Sequence, residues 1–133
     1  MIAVDAMVVV AAVVEGPARD GARRWRKREP RWIAPLLWRS EVRNALAAMC
    51  RRGLLLPEAA HKAMRLAERM MAEGAVDVAS DRVLQLASTS GCTAYDCEYV
   101  AVADARGTRL LTADQQILAA FPNIAVPFGI DTP

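Results

Sequence analysis

Four carboxylates fall in stretches that otherwise read as apolar. Asp5 interrupts "MIAVDAMVVV", Glu41 lies in "RSEVRNAL", Asp96 in "TAYDCEYV", and Asp114 follows "RLLTA". A lone carboxylate in an apolar interior costs several kcal/mol unless it is paired, protonated or bound to a cation. Clustered carboxylates also repel one another, and a divalent ion reverses the sign of that energy. Oxygen ligands without Cys or His select a hard ion, Mg²⁺ or Mn²⁺, over zinc. Mg²⁺ keeps several of its waters, so about two to four carboxylates are enough. Such a site activates a water and stabilises the charged oxygens of a phosphodiester during in-line attack.

Each acid also has a purely structural reading. Asp5 can cap a helix beginning at Ala6. "TAYD" (93–96) is a capping box in which Asp96 bonds back to the Thr93 amide. Asp114 suits the first turn of a helix, with "TADQ" as a second box. Glu41 has no capping role and could pair with an arginine of a neighbouring helix. These roles are compatible with metal binding, and only the joint placement of the four acids favours a cation.

Strand and helix patterns decide that placement. Residues 2–5 read as a strand, 6–15 as a helix closed by Gly16, and 17–28 as an Arg-rich helix. "RWIAP" (31–35) is a strand, and residues 36–53 form a helix stopped by Gly53. A helix from Pro57 ends at Gly74, "AVDVA" (75–79) is a strand, and Ser80 or Asp81 caps a helix to about Ser90. Thr93 caps a helix ended by Gly107, 109–112 is a strand, Asp114–Ala120 a short helix, and 124–128 a last strand. Strands alternating with helices predict one α/β domain over residues 1–133, with a parallel sheet covered on both faces. Ligands of such sheets bind at the carboxyl ends of strands. Asp5 and Asp114 end strands and therefore share that edge. Glu41 lies with Leu37, Trp38, Ala45 and Ala48 on the core-facing side of its helix, whereas Arg39 and Arg43 project away. Asp96 shares a helix face with Tyr99, Val100 and Ala103. The tail "GIDTP" is expected to be loose.

The apolar fraction of 54% and net charge of +2 exclude a disordered chain. Residues 2–14 are too few to span a bilayer and lack a basic flank, so no membrane association is expected. Cys50, Cys92 and Cys97 lack CxxC spacing and read as reduced, mostly buried thiols of a cytoplasmic protein. His61 has no partner at ligand spacing.

"IAVDAMVVVAAV", "RSEVRNAL", "TAYDCEYVAVADARGTRLLTAD" and "LAAFPNIAV", in that order, resemble the PIN-domain nucleases, and among them the VapC-type toxins of prokaryotic toxin–antitoxin pairs. The resemblance spans nearly the whole chain and is most specific from Thr93 to Asp114. It implies a three-layer α/β/α sandwich with a parallel sheet of four to five strands. It implies an endoribonuclease dependent on Mg²⁺ or Mn²⁺, whose four acids match Asp5, Glu41, Asp96 and Asp114. Hydrolysis would leave a 5′-phosphate and a 3′-hydroxyl. Thr112 matches a polar residue often found beside the fourth acid, and Asn44 lies one turn from Glu41, behind the ligands. A homodimer and a cognate antitoxin are implied as partners. Met7 replaces a small polar residue of many relatives, which puts a supporting contact in doubt but removes no ligand. Glu98 points about 160° from Asp96 on a regular helix and reads as a surface acid or an arginine partner. Asp104 reads as solvated.

Seven basic residues lie between Arg19 and Arg31, and elsewhere ten basic residues face thirteen acids, so the positive charge is local. Arg19, Arg23, Arg24, Arg26, Lys27 and Arg28 are therefore candidates to contact RNA phosphates. Trp25 and Trp32 either stack on bases or turn into the core. The helix could equally form part of an antitoxin groove. Ala60, Ala63, Met64, Ala67, Met70 and Met71 form one side of the next-but-one helix and read as core. Two rival functions remain. One is a PIN-like domain that binds RNA or protein without cutting. The other, a phosphoacceptor receiver domain, is disfavoured because Asp77 falls inside the predicted third strand.

Overall fold

The structure is a computed structural model and describes residues 1–129. The expectation for the tail lies outside these residues from 130 onward. The chain runs β1 (Ile2–Val4), α1 (Ala6–Val13), α2 (Arg19–Arg28), β2 (Trp32–Pro35), α3 (Trp38–Arg51) and α4 (Pro57–Met70). It continues through β3 (Ala75–Val76), α5 (Ser80–Ser90), α6 (Ala94–Ala105), β4 (Leu110–Thr112), α7 (Gln115–Ala120) and β5 (Ala125–Pro127). The five strands are parallel, in the order β3-β2-β1-β4-β5. Helices α1 to α4 pack on one another, α5 packs against α6, and α6 lies along β1, β2 and β4, giving three layers, α/β/α.

All residues of β1, β2 and β4 are buried, as short apolar strands covered on both faces require. The core is mainly Ala, Val, Ile and Leu, with Trp25, Trp32 and Trp38 filling its largest volumes. On α4 the buried side is Ala63, Ala67 and Met71, and Ala60, Met64 and Met70 are half-buried against it.

Several boundaries differ from the sequence reading. Helix α1 stops at Val13, because Val14 is extended at φ −109° and ψ 149°, so Gly16 does not end it. Helix α2 starts at Arg19 and not at Pro17. Helix α4 ends at Met70, and Gly74 does a different job. A Cβ on Gly74 would lie 2.3 Å from the Trp32 carbonyl oxygen, so any side chain there would push β3 from β2. Strand β3 is only two residues long, and neither Ser80 nor Asp81 caps α5, whose N-cap is Ala79. Gly53 and Gly107 do follow their helices with positive φ, 71° and 63°.

Strand order decides what the carboxyl edge can hold. From β1 the chain moves outward to β2 and β3, then returns to the other side of β1 for β4 and β5. Connections therefore diverge between β1 and β4, opening a crevice above their carboxyl ends. The same order rejects the receiver alternative. Asp77 stands just after β3 and not inside it, correcting the sequence reading, but β3 is an edge strand two places from β1. A receiver sheet would put its third strand beside its first.

Candidate functional site

The crevice is a cleft of about 600 Å³ lined by all four candidate acids, Asp5, Glu41, Asp96 and Asp114. Leu37, Ser40, Asn44 and Ala45 of the α3 region form one wall, with Ala6, Met7, Tyr95 and Ala113 completing the lining. No Lys, Arg or His is among these residues.

Asp5 follows β1 directly, and its amide donates to the Leu111 carbonyl at 3.0 Å, fixing it beside the end of β4. Its side chain caps α1: Oδ1 accepts from the Ala6 amide at 2.8 Å. Oδ2 accepts from the Thr112 hydroxyl at 2.7 Å. Thr112 is fully buried, and its Oγ1 also accepts from the Asp114 amide at 3.0 Å, so one hydroxyl ties two acids of different elements together. Burial pushes the Asp5 carboxyl above its ordinary value; the bonds from Thr112 and Ala6 oppose this, and the charges of Glu41 and Asp114 add to it.

Asp114 is itself the N-cap of α7, and its Oδ1 accepts from the Gln116 and Ile117 amides at 2.9 and 3.2 Å. The "TADQ" box with Thr112 as cap is thus not formed, because Thr112 is the last residue of β4 and its hydroxyl is turned to Asp5. Thr93 does cap α6, accepting from the Asp96 amide at 3.1 Å. The reciprocal half of that box is absent among the described residues, where no hydrogen bond or ion pair engages the half-buried Asp96 carboxylate. Glu41 is partnered not by an arginine but by Tyr99, whose hydroxyl donates to its Oε1 at 2.5 Å. Tyr99 is buried, and burial together with Glu41 holds its phenol protonated, far above the ordinary value. Sequence reasoning missed this contact, although a buried tyrosine on the face of Asp96 must find a polar partner for its hydroxyl.

Asn44 lines the cleft on the exposed side of α3. Glu98 is half-buried, and no ion pair with an arginine engages it among the described residues: burial raises its carboxyl, and the charges of Glu41 and Asp77 raise it further. Asp104 is not simply solvated, since the Arg82 guanidinium donates to its Oδ2 from Nε and pairs through Nη2, both at 2.9 Å.

None of the six basic candidates of α2 lines the carboxylate cleft. Trp25 and Trp32, at 8% and 1% exposure, are core residues, so neither offers a face to a base. Arg26 lies over the Trp32 ring at 5.4 Å and donates to the Met70 carbonyl at 3.0 Å. Arg28 lies over Trp25 at 5.3 Å. Arg19, Arg23 and Lys62 line a separate groove of about 520 Å³ together with Val13, Val14, Leu54, Leu56 and Glu15, which pairs with Arg19 at 3.9 Å.

A divalent ion is the ligand that the donor set fits: oxygen donors only, from four elements, with no cation beside them. Among the described residues, however, no group of three or more His, Cys, Asp or Glu side chains is arranged to hold a metal as it stands. The fit is therefore to a hydrated ion held directly by one or two carboxylates, not to a closed cage. All three cysteines are free thiols, Cys92 and Cys97 buried and Cys50 half-buried. Among the described residues no helix is long and apolar enough to cross a membrane.

A family model described as PIN domain matches residues 2–123. Ribonuclease VapC3 of Pyrobaculum aerophilum is 34% identical over 91 residues, which cover 65% of this chain and 69% of that protein. The crystal structure of PAE2754, also from Pyrobaculum aerophilum, superposes with a TM-score of 0.76 at 26% identity, covering 96% of this chain and 90% of the other.

Proposed function

The chain belongs to the PIN domain family, and from that membership we propose that it is a divalent-metal-dependent endoribonuclease acting as the toxin of a toxin–antitoxin pair. The observation that carries this reading is the cleft itself: four carboxylates from separate elements converge with no cation among the lining residues. One or two of Asp5, Glu41, Asp96 and Asp114 would hold Mg²⁺ or Mn²⁺ directly, and the others through the ion's waters. When bound, the ion supplies a more acidic water and positive charge at the phosphorus undergoing in-line displacement.

The protein's own part is to aim the carboxylates. Thr112 and the Ala6 amide each take one lone pair of Asp5, leaving each oxygen another. Tyr99 anchors Glu41 through Oε1 and leaves Oε2 for the cleft. The α7 amides anchor Asp114 through Oδ1 and leave Oδ2. Asp96 keeps both oxygens. Raised by burial and by its neighbours, the Asp5 carboxyl gains from a cation.

The groove lined by Arg19, Arg23 and Lys62 supports an antitoxin partner. Leu54 and Leu56 are exposed in a groove lined by Arg23, Lys62 and the Arg19–Glu15 pair, a net positive and apolar lining that suits a peptide alternating apolar and acidic side chains. On this reading the cations of α2 serve the antitoxin and long-range attraction of RNA more than direct contact at the cut. A homodimer and a cytoplasmic location belong to the same proposal.

The test is cleavage of RNA by purified protein. Cleavage should need Mg²⁺ or Mn²⁺, stop with EDTA, return on adding Mn²⁺, and be absent in Asp5→Ala. Equal cleavage by EDTA-treated protein, or by the variant, would sink the proposal. RNA binding without cleavage in any metal would instead favour the non-catalytic alternative.

A further inference from the structure

Tyr95 and Met7 are oddities of the cleft. Each is a large side chain on the first turn of its helix, α6 or α1, and each is left open at the cleft mouth, 63% and 55% exposed. Tyr95 immediately precedes Asp96, and both line the same cleft.

Electrostatics explains why an apolar rim is needed there. A polyanion approaching four carboxylates is repelled, and no Lys, Arg or His lines the cleft to offset this. Beyond the divalent ion of the nuclease reading, no side chain lining the cleft supplies the phosphate-neutralising contacts that usually give nucleic-acid affinity. What the rim offers is contact without charge. An aromatic ring stacks on any nucleobase, and a thioether adapts to its edge. Only an unpaired, splayed base can reach such a ring, because a base inside a duplex already has its faces covered.

We propose that Tyr95, with Met7 on the same cleft lining, is a stacking platform for the unpaired base next to the phosphate being cut. The inference rests on the nuclease reading above and specifies how its substrate is held. Tyr95 touches the base and takes no part in bond breaking, so it governs substrate affinity.

The experiment uses short unpaired oligoribonucleotides carrying 2-aminopurine at each position in turn, titrated with the full chain in Ca²⁺. Wild type should quench the fluorescence at one position. Tyr95→Ala should abolish that quenching and weaken binding about tenfold or more, whereas Tyr95→Trp should retain both. Removing the base at that position should bring wild-type binding down to the level of Tyr95→Ala, and the matching duplex should bind no better. Because Tyr95 is exposed, Tyr95→Ala should melt like wild type. Wild-type binding and quenching by Tyr95→Ala, or equal binding of duplex and single strand, would overturn the inference. RNA that stacks on Tyr95 yet is never cut with Mg²⁺ or Mn²⁺ supports the platform and overturns the nuclease reading.

Discussion

The acidic cleft above β1 and β4 and the basic helix α2 are both dense in charge, but they spend it differently. Three of the cleft's four carboxylates are held by neutral donors (backbone amides, Thr112 and Tyr99), and no cation among the lining residues balances them. On α2, Arg26 and Arg28 lie over the buried rings of Trp32 and Trp25, and Arg26 also satisfies the Met70 carbonyl. Charge used to build a fold finds partners within the fold. Charge left uncompensated in a partly buried cleft is held for something that arrives later, and the accompanying loss of stability is expected at a functional site.

Asp5→Asn should widen this contrast most. RNA cleavage should fall about a thousandfold or more, measured as product formed at saturating Mn²⁺. In EDTA at neutral pH the variant should nevertheless melt higher than wild type. The sign follows from linkage. Asp5 has a folded pKa raised above the ordinary 3.8, so between those values the native state holds more protons than the unfolded state. Wild-type stability should therefore drop as pH rises through that window, a drop that Asn removes. Thermal melts over a pH series read this directly.

Thr112→Val comes next. It keeps the shape but leaves Asp5 short of a donor and the part-buried Asp114 amide short of an acceptor. A loss of about 1–3 kcal/mol in denaturant unfolding is expected, with a clear fall in cleavage because two carboxylates lose their alignment. Tyr99→Phe should be milder. Glu41 loses its anchor, costing about 1 kcal/mol, and more Mn²⁺ should be needed for half-maximal cleavage. The smallest effect on activity belongs to the other region. Arg26→Gln should cost about 1 kcal/mol through the Trp32 face and the Met70 carbonyl, yet leave cleavage of a short RNA unchanged. A collapse of cleavage in Arg26→Gln at unchanged stability would erase the distinction between the two regions.

The main features of the cleft are legible in the sequence for a physical reason. Asp5 and Asp114 each end a short apolar strand, and in a parallel sheet strand ends share an edge whatever the strand order. Strand order itself is a property of long-range pairing, so the crevice between β1 and β4 becomes visible only in the fold. The Tyr99–Glu41 bond joins residues 58 apart, and local periodicity carries no trace of it. Periodicity gave Glu98 its angle on α6 but not the charges that act on it, which prove to be those of Glu41 and Asp77. Trp25 and Trp32 could face either way on sequence alone, because an amphipathic ring between arginines suits a base and a core equally well. Here the core needed their volume. Helix ends such as Val13 and Met70 depend on where the chain must turn to enter the next strand, which single-residue stop signals do not encode.

Titration of Mn²⁺ into metal-free protein, followed by calorimetry, tests the central claim most directly. If the uncompensated carboxylates of the cleft are held for a divalent ion, wild type will bind Mn²⁺ with release of heat and a raised melting temperature. Asp5→Asn, though the more stable protein without metal, will show neither. Absence of Mn²⁺ binding by wild type, or equal binding by Asp5→Asn, would contradict the account.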